Sequence, residues 1–510
     1  MTIPLRPAGG CCASPDDPLV PNPHSWTKAT HLLYVEQPIG VGFSTPGTIP
    51  LPHNETDVAN DFFAFLQNFY RVFEHYHKQD YKLHVTGESY AGIYVPSIAH
   101  KIYTEMKDHQ SHKHKNKRDL VPINLAGIAI GNGLLNSNVQ GPIRVDWAYY
   151  HGLIDMYTRD QLHQAWDDCM AAFDANHDDT TTKTTTLDPP FHAFNLPDDC
   201  GMLTAIPLVV GQDAMGRSMN VYDVTTRDPY DVLKVDSTIT RFYNNPQVKE
   251  KLHAPQDIKW SGCIPGAGRR RRRLLEEQKE HNTNNDASHR HAHLQDAEVH
   301  RKLESSFLMD DRPLSVIPYI ADLLDGGVQA LLYNGDLDMA GNPAGTEMLL
   351  NAMKWHGASK WYETRRGLWL VDGEVAGFAK RLDNLLFVVV SNSGHLVPYN
   401  QPGHALDLIT RFLKRESFYD KMIPTLNIAV SKPQKSKSPP NGFPSAIDTT
   451  KLESILLANR ASENNHNSSR INDPRRTLLP LLMSFLLGIG VSSLWQKWQR
   501  GPWMSGYQRI

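Results

Sequence analysis

Short apolar strands alternating with amphipathic helices constrain this chain more than any other feature of its sequence. HLLYV (His31 to Val35) reads as a strand and ends in the turn-rich run EQPIGVGFSTPG; Val58, Phe62, Phe65, Phe69 and Val72 then recur at helical spacing. The short strand LHVT (Leu83 to Thr86) follows, then a tight turn and a second helical stretch carrying Ile98, Ala99 and Ile102. LAGIAIG (Leu125 to Gly131), ALLYNG (Ala330 to Gly335) and LFVVVS (Leu386 to Ser391) read as later strands. Strands that feed amphipathic helices predict an α/β fold with a mostly parallel central sheet and helices on both faces.

GESYAG (Gly87 to Gly92) sits where a strand passes directly into a helix, the context of a nucleophile elbow. A serine on such a turn presents its hydroxyl away from its own backbone. Small residues two positions to either side, here Gly87 and Ala91, let strand and helix approach closely. A serine hydroxyl is a poor nucleophile at neutral pH, so Ser89 needs a general base, and the base needs an acid to fix its tautomer. Partners in the order acid then histidine, each after a strand, are present: Asp336 and Asp338 follow ALLYNG, and His395 follows LFVVVS.

Around these residues PNPHSW, VEQPIGVGFS, TGESYAGIYVP, IGNGLLN, NNPQVKEKLH, YNGDLDMAGN and GHLVPYNQP run in the order found in the serine carboxypeptidases, and from Pro21 to Lys414 the chain resembles that family. The resemblance implies an α/β-hydrolase fold with a helical insertion near 157–242, no cofactor and no metal. It implies hydrolysis of peptide or protein C-termini at acidic pH in a secretory compartment, with Ser89 as nucleophile, His395 as base and Asp338 rather than Asp336 as the orienting acid. Tyr90 would give one oxyanion amide and part of the specificity pocket. Glu88, protonated, would hydrogen-bond the substrate's terminal carboxylate. Family members also carry a Gly-Gly-Pro-Gly-Cys segment that supplies the second oxyanion amide and a disulfide cysteine, and GGCCAS (Gly9 to Ser14) does not match it. Its absence leaves Cys263 without the implied partner, while Cys169 and Cys200 remain able to bridge within the insertion. The expectation is an N-terminally incomplete version of a longer secretory enzyme. Two rival readings stay open: a serine carboxypeptidase-like acyltransferase and an inactive lumenal homologue.

With 52 Lys plus Arg against 55 Asp plus Glu, nothing global favours a polyanion, so nucleic-acid binding is not expected. Five cysteines with no CxxC pair give no zinc-type ligand set. Residues 1–20 read as an atypical N-terminus and 21–415 as the catalytic domain. Within that domain, 266–304 reads as a basic, His-rich loop holding Arg269 to Arg273, a possible cleavage site, and His289, His291 and His293. The run Thr180 to Thr186 is a further polar insert. Residues 416–476 read as a polar stalk, and 496–510 as a short tail. Between them, Thr477 to Trp495 carries no charge and spans about 28 Å as a helix, close to a bilayer core, which predicts a single transmembrane helix. Asn54 and Asn467 lie in N-x-S/T sequons before it and predict glycosylation if that side is lumenal. The anchor suggests a membrane-anchored carboxypeptidase of the pheromone-processing type, acting in the lumen of a Golgi, endosome or vacuole-type compartment.

Overall fold

A computed structural model describes residues 5–7, 19–45, 52, 54–78, 81–110, 120–176, 202–227, 239–260, 315–418 and 421–422. The chain divides into Met1–Ala461 and Ser462–Ile510, and every described residue belongs to the first unit. In chain order the strands are β1 (Leu5–Pro7), β2 (Leu19–Pro21), β3 (Leu83–Glu88), β4 (Leu125–Gly131), β5 (Gln329–Gly335), β6 (Gly367–Val371), β7 (Glu374–Leu382), β8 (Leu385–Val390) and β9 (Lys421–Met422). The helices begin with α1 (Glu55–Val72), α2 (His75–Lys78), α3 (Ala91–Gln110), α4 (Ser137–Tyr150), α5 (Met156–Asn176) and α6 (Met202–Val210). They continue with α7 (Pro246–Lys251), α8 (Ile317–Asp325), α9 (Pro343–Ala352), α10 (Ala358–Trp361), α11 (Val397–Asn400) and α12 (Pro402–Lys414).

Seven strands form one sheet in the order β3-β4-β5-β8-β7-β6-β9, while β1 and β2 pair separately. β3, β4, β5 and β8 run parallel, and β7, β6 and β9 add an antiparallel flank. Both faces are covered, and side chains alternate between them as strand geometry requires. From β8, Leu385, Phe387 and Val389 enter one core with Ile128, Ile130 and Leu332, beneath Ile317, Ile320 and Leu349 of α8 and α9. Leu386, Val388 and Val390 enter the other, with Ala129, Leu331 and Trp369, beneath Leu408, Ile409 and Phe412 of α12.

Helix starts follow short polar side chains. Asn54, Asn136, Asn245 and Asn342 each accept a hydrogen bond from a first-turn amide of α1, α4, α7 and α9, and proline stands in the first turn of the last two. Asn136, Asn245 and Asn342 all fall in the motifs quoted above, so part of that pattern encodes helix caps. Between the parallel strands β4 and β5, α5 and α6 pack with α4 around Trp147, Trp166, Met202 and Ile206. Cys169 in α5 is disulfide-bonded; Cys200, the partner suggested by sequence, lies outside the described residues.

Four differences from the sequence reading have physical causes. Residues 31–35 form no strand, and Leu33 and Tyr34 are exposed. Strand geometry is held by a neighbour's amides and carbonyls, and among the described residues β3 pairs only with β4. In α1 the period is as expected but the buried face is not. Val58, Ala59, Phe63, Leu66 and Tyr70 are buried, whereas Phe65 and Val72 are exposed, because α3 meets the helix from one side. The β6–β7 hairpin went unread although its two-residue turn is Asp372-Gly373, with φ of 53° and 87°, the left-handed pair such turns need. Finally, the fold continues past Arg415: Phe418 is fully buried beside Trp369, and β9 pairs with β6.

The loop 266–304 with Arg269 to Arg273 and its histidines, Thr180 to Thr186, Cys263, Asn467, the proposed span 477–495, the tail and most of 1–20 and 416–476 lie outside the described residues. Among the described residues no helix is long and apolar enough to cross a membrane.

Candidate active site

Ser89 stands between the carboxyl end of β3 and α3 with φ 64°, in the left-handed region that a side chain adopts only under constraint. Its amide donates to Gly131 O at 2.9 Å, and its carbonyl accepts from Gly92 N and Leu134 N at 2.9 Å. A Cβ on Gly87 would lie 2.4 Å from the Ala91 Cβ, so two small residues are needed there, as the turn motif requires. One on Gly92 would strike the Leu134 carbonyl at 2.3 Å. The turn is thereby pinned against the segment that follows β4.

Asp338 and His395 come together from the loops after β5 and β8, which are neighbouring parallel strands. His395 Nδ1 and Asp338 Oδ2 lie 2.7 Å apart. An ionised carboxylate only accepts, so Nδ1 carries the proton and a neutral ring presents Nε2 as the acceptor. Asp338 is fully buried, and its oxygens also accept from Asn132 Nδ2 at 2.7 Å, Gly341 N at 3.0 Å and Ala340 N at 2.9 Å. Asp336 faces elsewhere and accepts from Ser393 N at 3.2 Å. Burial, partly offset by backbone hydrogen bonds from Ser393, Asn392 and its own amide, raises the Asp336 pKa. Among the described residues Ser89 Oγ makes no hydrogen bond to His395; contacts between nucleophile and base commonly tighten only when substrate binds.

The sequence motifs gave no role to three further residues around His395. The carbonyl of Tyr222, from the loop after α6, accepts from His395 N at 2.7 Å, and its ring lies 4.8 Å from the imidazole. Arg144 of α4 is buried and donates through Nε to Ala340 O at 2.9 Å. Asn132, also left-handed with φ 45°, sits in GNG directly after β4. An asparagine between two glycines at a strand end is the one local signal for it, since Asn tolerates that conformation.

Electrostatics couples the carboxyl and imidazole groups. Glu88, the last residue of β3, keeps some surface exposure, yet burial of its carboxyl raises its pKa to about 7. His395 opposes that rise and Asp338 adds to it. For His395, burial favours the neutral ring, but the Asp338 charge and hydrogen bond, helped by Glu88, outweigh burial and the Arg144 cation and raise the pKa. Tyr90 turns its hydroxyl to Glu55 Oε1 of α1 at 3.3 Å and sets its ring against Tyr94. Asn54 lies apart from this cluster and caps α1.

The other motifs serve the frame. Glu36 of VEQPIGVGFS accepts from Phe43 N at 2.5 Å and from Trp260 Nε1, and Gly42, with φ 56°, leaves room for that carboxylate. A cavity of about 640 Å³ lined by Tyr70, Tyr76, Tyr81, Tyr103 and Met106 opens at the opposite, amino-terminal ends of the strands and plays no part in this cluster.

A serine on a strained strand-to-helix turn after β3, with a carboxylate–imidazole pair delivered by the loops after the parallel strands β5 and β8, defines an α/β-hydrolase-like architecture. The chain belongs to the serine carboxypeptidase family, whose model matches residues 8–300 and 283–415. It is 29% identical over 403 residues to serine carboxypeptidase-like 49 of Arabidopsis thaliana, covering 79% of this chain and 66% of that protein. It is 27% identical over 420 residues to a pheromone-processing carboxypeptidase of Phytophthora infestans, covering 80% and 60%. To the lysosomal protective protein of Mus musculus it is 29% identical over 427 residues, covering 78% and 77%. The chain thus spans less than two thirds of the length of the first two relatives. The crystal structure of a prohormone-processing carboxypeptidase from Saccharomyces cerevisiae superposes with a TM-score of 0.60 at 22% identity, covering 81% of this chain and 79% of that one, and shares the fold.

Proposed function

We propose that this chain is a serine-type carboxypeptidase that removes C-terminal residues from peptides through an acyl-enzyme. The observation that carries the reading is the 2.7 Å contact of His395 with the buried Asp338 beside the left-handed Ser89 turn. In this mechanism Ser89 Oγ attacks the last peptide carbonyl while His395 Nε2 takes its proton, and Asp338 stabilises the imidazolium that forms. His395 then protonates the leaving amine, and water, deprotonated by the same ring, releases the acyl group. The Tyr90 amide at the start of α3 gives one oxyanion donor. A chain working without a second donor would be slower by about 10²- to 10³-fold.

Glu88 supplies the acid preference. Held protonated below about pH 7, it can donate to a substrate's terminal carboxylate; ionised, it repels it. The protonation states of Glu88 and His395 are linked. The productive form holds the proton on Glu88 and leaves His395 neutral, whereas the Glu88 carboxylate with His395 imidazolium is its idle tautomer. An acidic lumenal compartment fits this chemistry, and one relative is named for the lysosome. Anchoring through 477–495 and glycosylation at Asn54 and Asn467 complete the proposal. At Asn54 the cap uses Oδ1, which leaves Nδ2 for a glycan.

The test is hydrolysis of an N-blocked dipeptide at pH 5, with a glucose ester as the competing acyl donor to an alcohol, together with labelling by a fluorophosphonate. Labelling and peptide hydrolysis that both vanish in Ser89→Ala are the expected result. Labelling that survives this substitution, or acyl transfer without hydrolysis, refutes the reading.

A further inference from the structure

We propose that Asn132 is a positioning residue that aims the Asp338 carboxylate at His395 and ties that pair to the Ser89 turn. This deepens the reading above and rests on it. Asn132 is 1% exposed. Its Nδ2 donates at 2.7 Å to Asp338 Oδ2, the same oxygen that meets His395 Nδ1 at 2.7 Å, and also approaches Gly341 O at 3.3 Å. Its Oδ1 accepts from Gly335 N at 3.3 Å, at the end of β5, and its own amide donates to Tyr333 O at 2.8 Å. On either side of it in sequence, Gly131 O and Leu134 N grip the Ser89 backbone, each at 2.9 Å. One residue therefore touches the acid directly while its chain neighbours hold the nucleophile's turn.

The chemistry asks for an asparagine. The backbone there has φ 45°, which Asn tolerates and most side chains do not. The carboxamide offers a donor to Asp338 and an acceptor to Gly335 at once. It is also neutral, so it adds no charge to a cluster in which Asp338, Glu88 and Arg144 already face His395. The remaining partners of the acid are backbone amides of its own loop, Ala340 and Gly341, which move with it. Apart from His395, Asn132 is the side chain among the described residues that fixes Asp338 from a different strand. The close approach is built in from the other side as well: a Cβ on Gly341 would meet Asn132 O at 2.4 Å.

Two substitutions separate positioning from scaffolding. Asn132→Gly removes both side-chain bonds while keeping the left-handed backbone free of strain. Asn132→Asp keeps the shape but sets a second carboxyl against Asp338, where it donates only while protonated. Three quantities are measured on the full chain: the pH dependence of fluorophosphonate labelling at Ser89, the far-downfield proton resonance of His395 Nδ1–H assigned by its loss in His395→Ala, and the melting temperature. For folded Asn132→Gly the labelling rate falls about 10- to 100-fold, the scale of one lost hydrogen bond to a charged group. Its downfield proton exchanges faster, and the imidazole midpoint rises, because a carboxylate with one donor fewer holds the imidazolium more tightly. Asn132→Asp labels more slowly, and the midpoint of its rise with pH moves upward, because the second carboxyl, once ionised, stabilises the His395 imidazolium and no longer donates to Asp338. A folded Asn132→Gly whose rate, midpoint and downfield signal match the unmodified protein overturns the proposal. If that variant does not fold, an Asn132→Asp profile superimposable on the unmodified one overturns it instead. Should the unmodified chain not be labelled, the catalytic reading falls, and the downfield resonance decides the positioning role by itself.

Discussion

Glu88→Gln tests the electrostatic part of the argument without relying on turnover. The Glu88 carboxyl titrates near 7 in the fold against an ordinary 4.5, chiefly because burial disfavours its charge. Between those two values the folded protein holds a proton that the unfolded chain has released, so stability must fall as pH rises through that window. At about 1.36 kcal/mol per pH unit the full loss reaches at most about 3 kcal/mol by pH 8, reduced to the extent that the remaining solvent exposure screens the charge. Glutamine has nearly the same shape and no charge to desolvate. The variant should therefore match the unmodified protein near pH 4.5 and exceed its stability by about 1 to 3 kcal/mol at pH 8, measured by urea denaturation at both pH values. In a kcat/KM profile the same change should flatten the alkaline limb, since no carboxylate forms to repel the substrate's own. It should also move the acid limb lower, because the Glu88 charge helps to hold the His395 pKa up. A variant with the same pH dependence of stability as the unmodified chain would refute the claim that burial holds this proton, whatever its activity.

Asp338→Asn should lower kcat by about 10⁴-fold by breaking the tautomer of His395, whereas Asp336→Asn, two residues away and facing Ser393, should leave most activity intact; equal losses from the two would sink the assignment of the acid. Gly92→Ala places a methyl carbon 2.3 Å from the Leu134 carbonyl and 2.6 Å from its nitrogen, where only backbone can yield. A cost of about 1 to 3 kcal/mol in denaturation and a slower labelling of Ser89 are expected, and unchanged values would show that the elbow is looser than its contacts indicate.

The sequence alone determined the parallel half of the sheet, because strands buried on both faces read as unbroken apolar runs, and β4, β5 and β8 lie within one residue of their expected limits. It also determined the serine turn, since Gly87 and Ala91 are small for reasons local to the strand–helix junction, whereas Gly92 is small because Leu134 packs on it from the segment after β4. Local signals cannot say which side of an amphipathic helix meets a neighbour. Phe65 and Val72 share the period of α1 yet point away from α3, and HLLYV has strand composition but no ladder partner among the described residues. The residue pattern by itself does not separate Asp338 from Asp336, for both follow the same strand; the family resemblance named Asp338, and the path of two loops across adjacent strands is what carries that residue to His395. Asn132 and Asp338 are 206 residues apart in the chain, and no pattern within either segment reports a 2.7 Å bond between them. Folding decided that contact, because it depends on the lateral order of β4, β5 and β8 rather than on any residue's own preference.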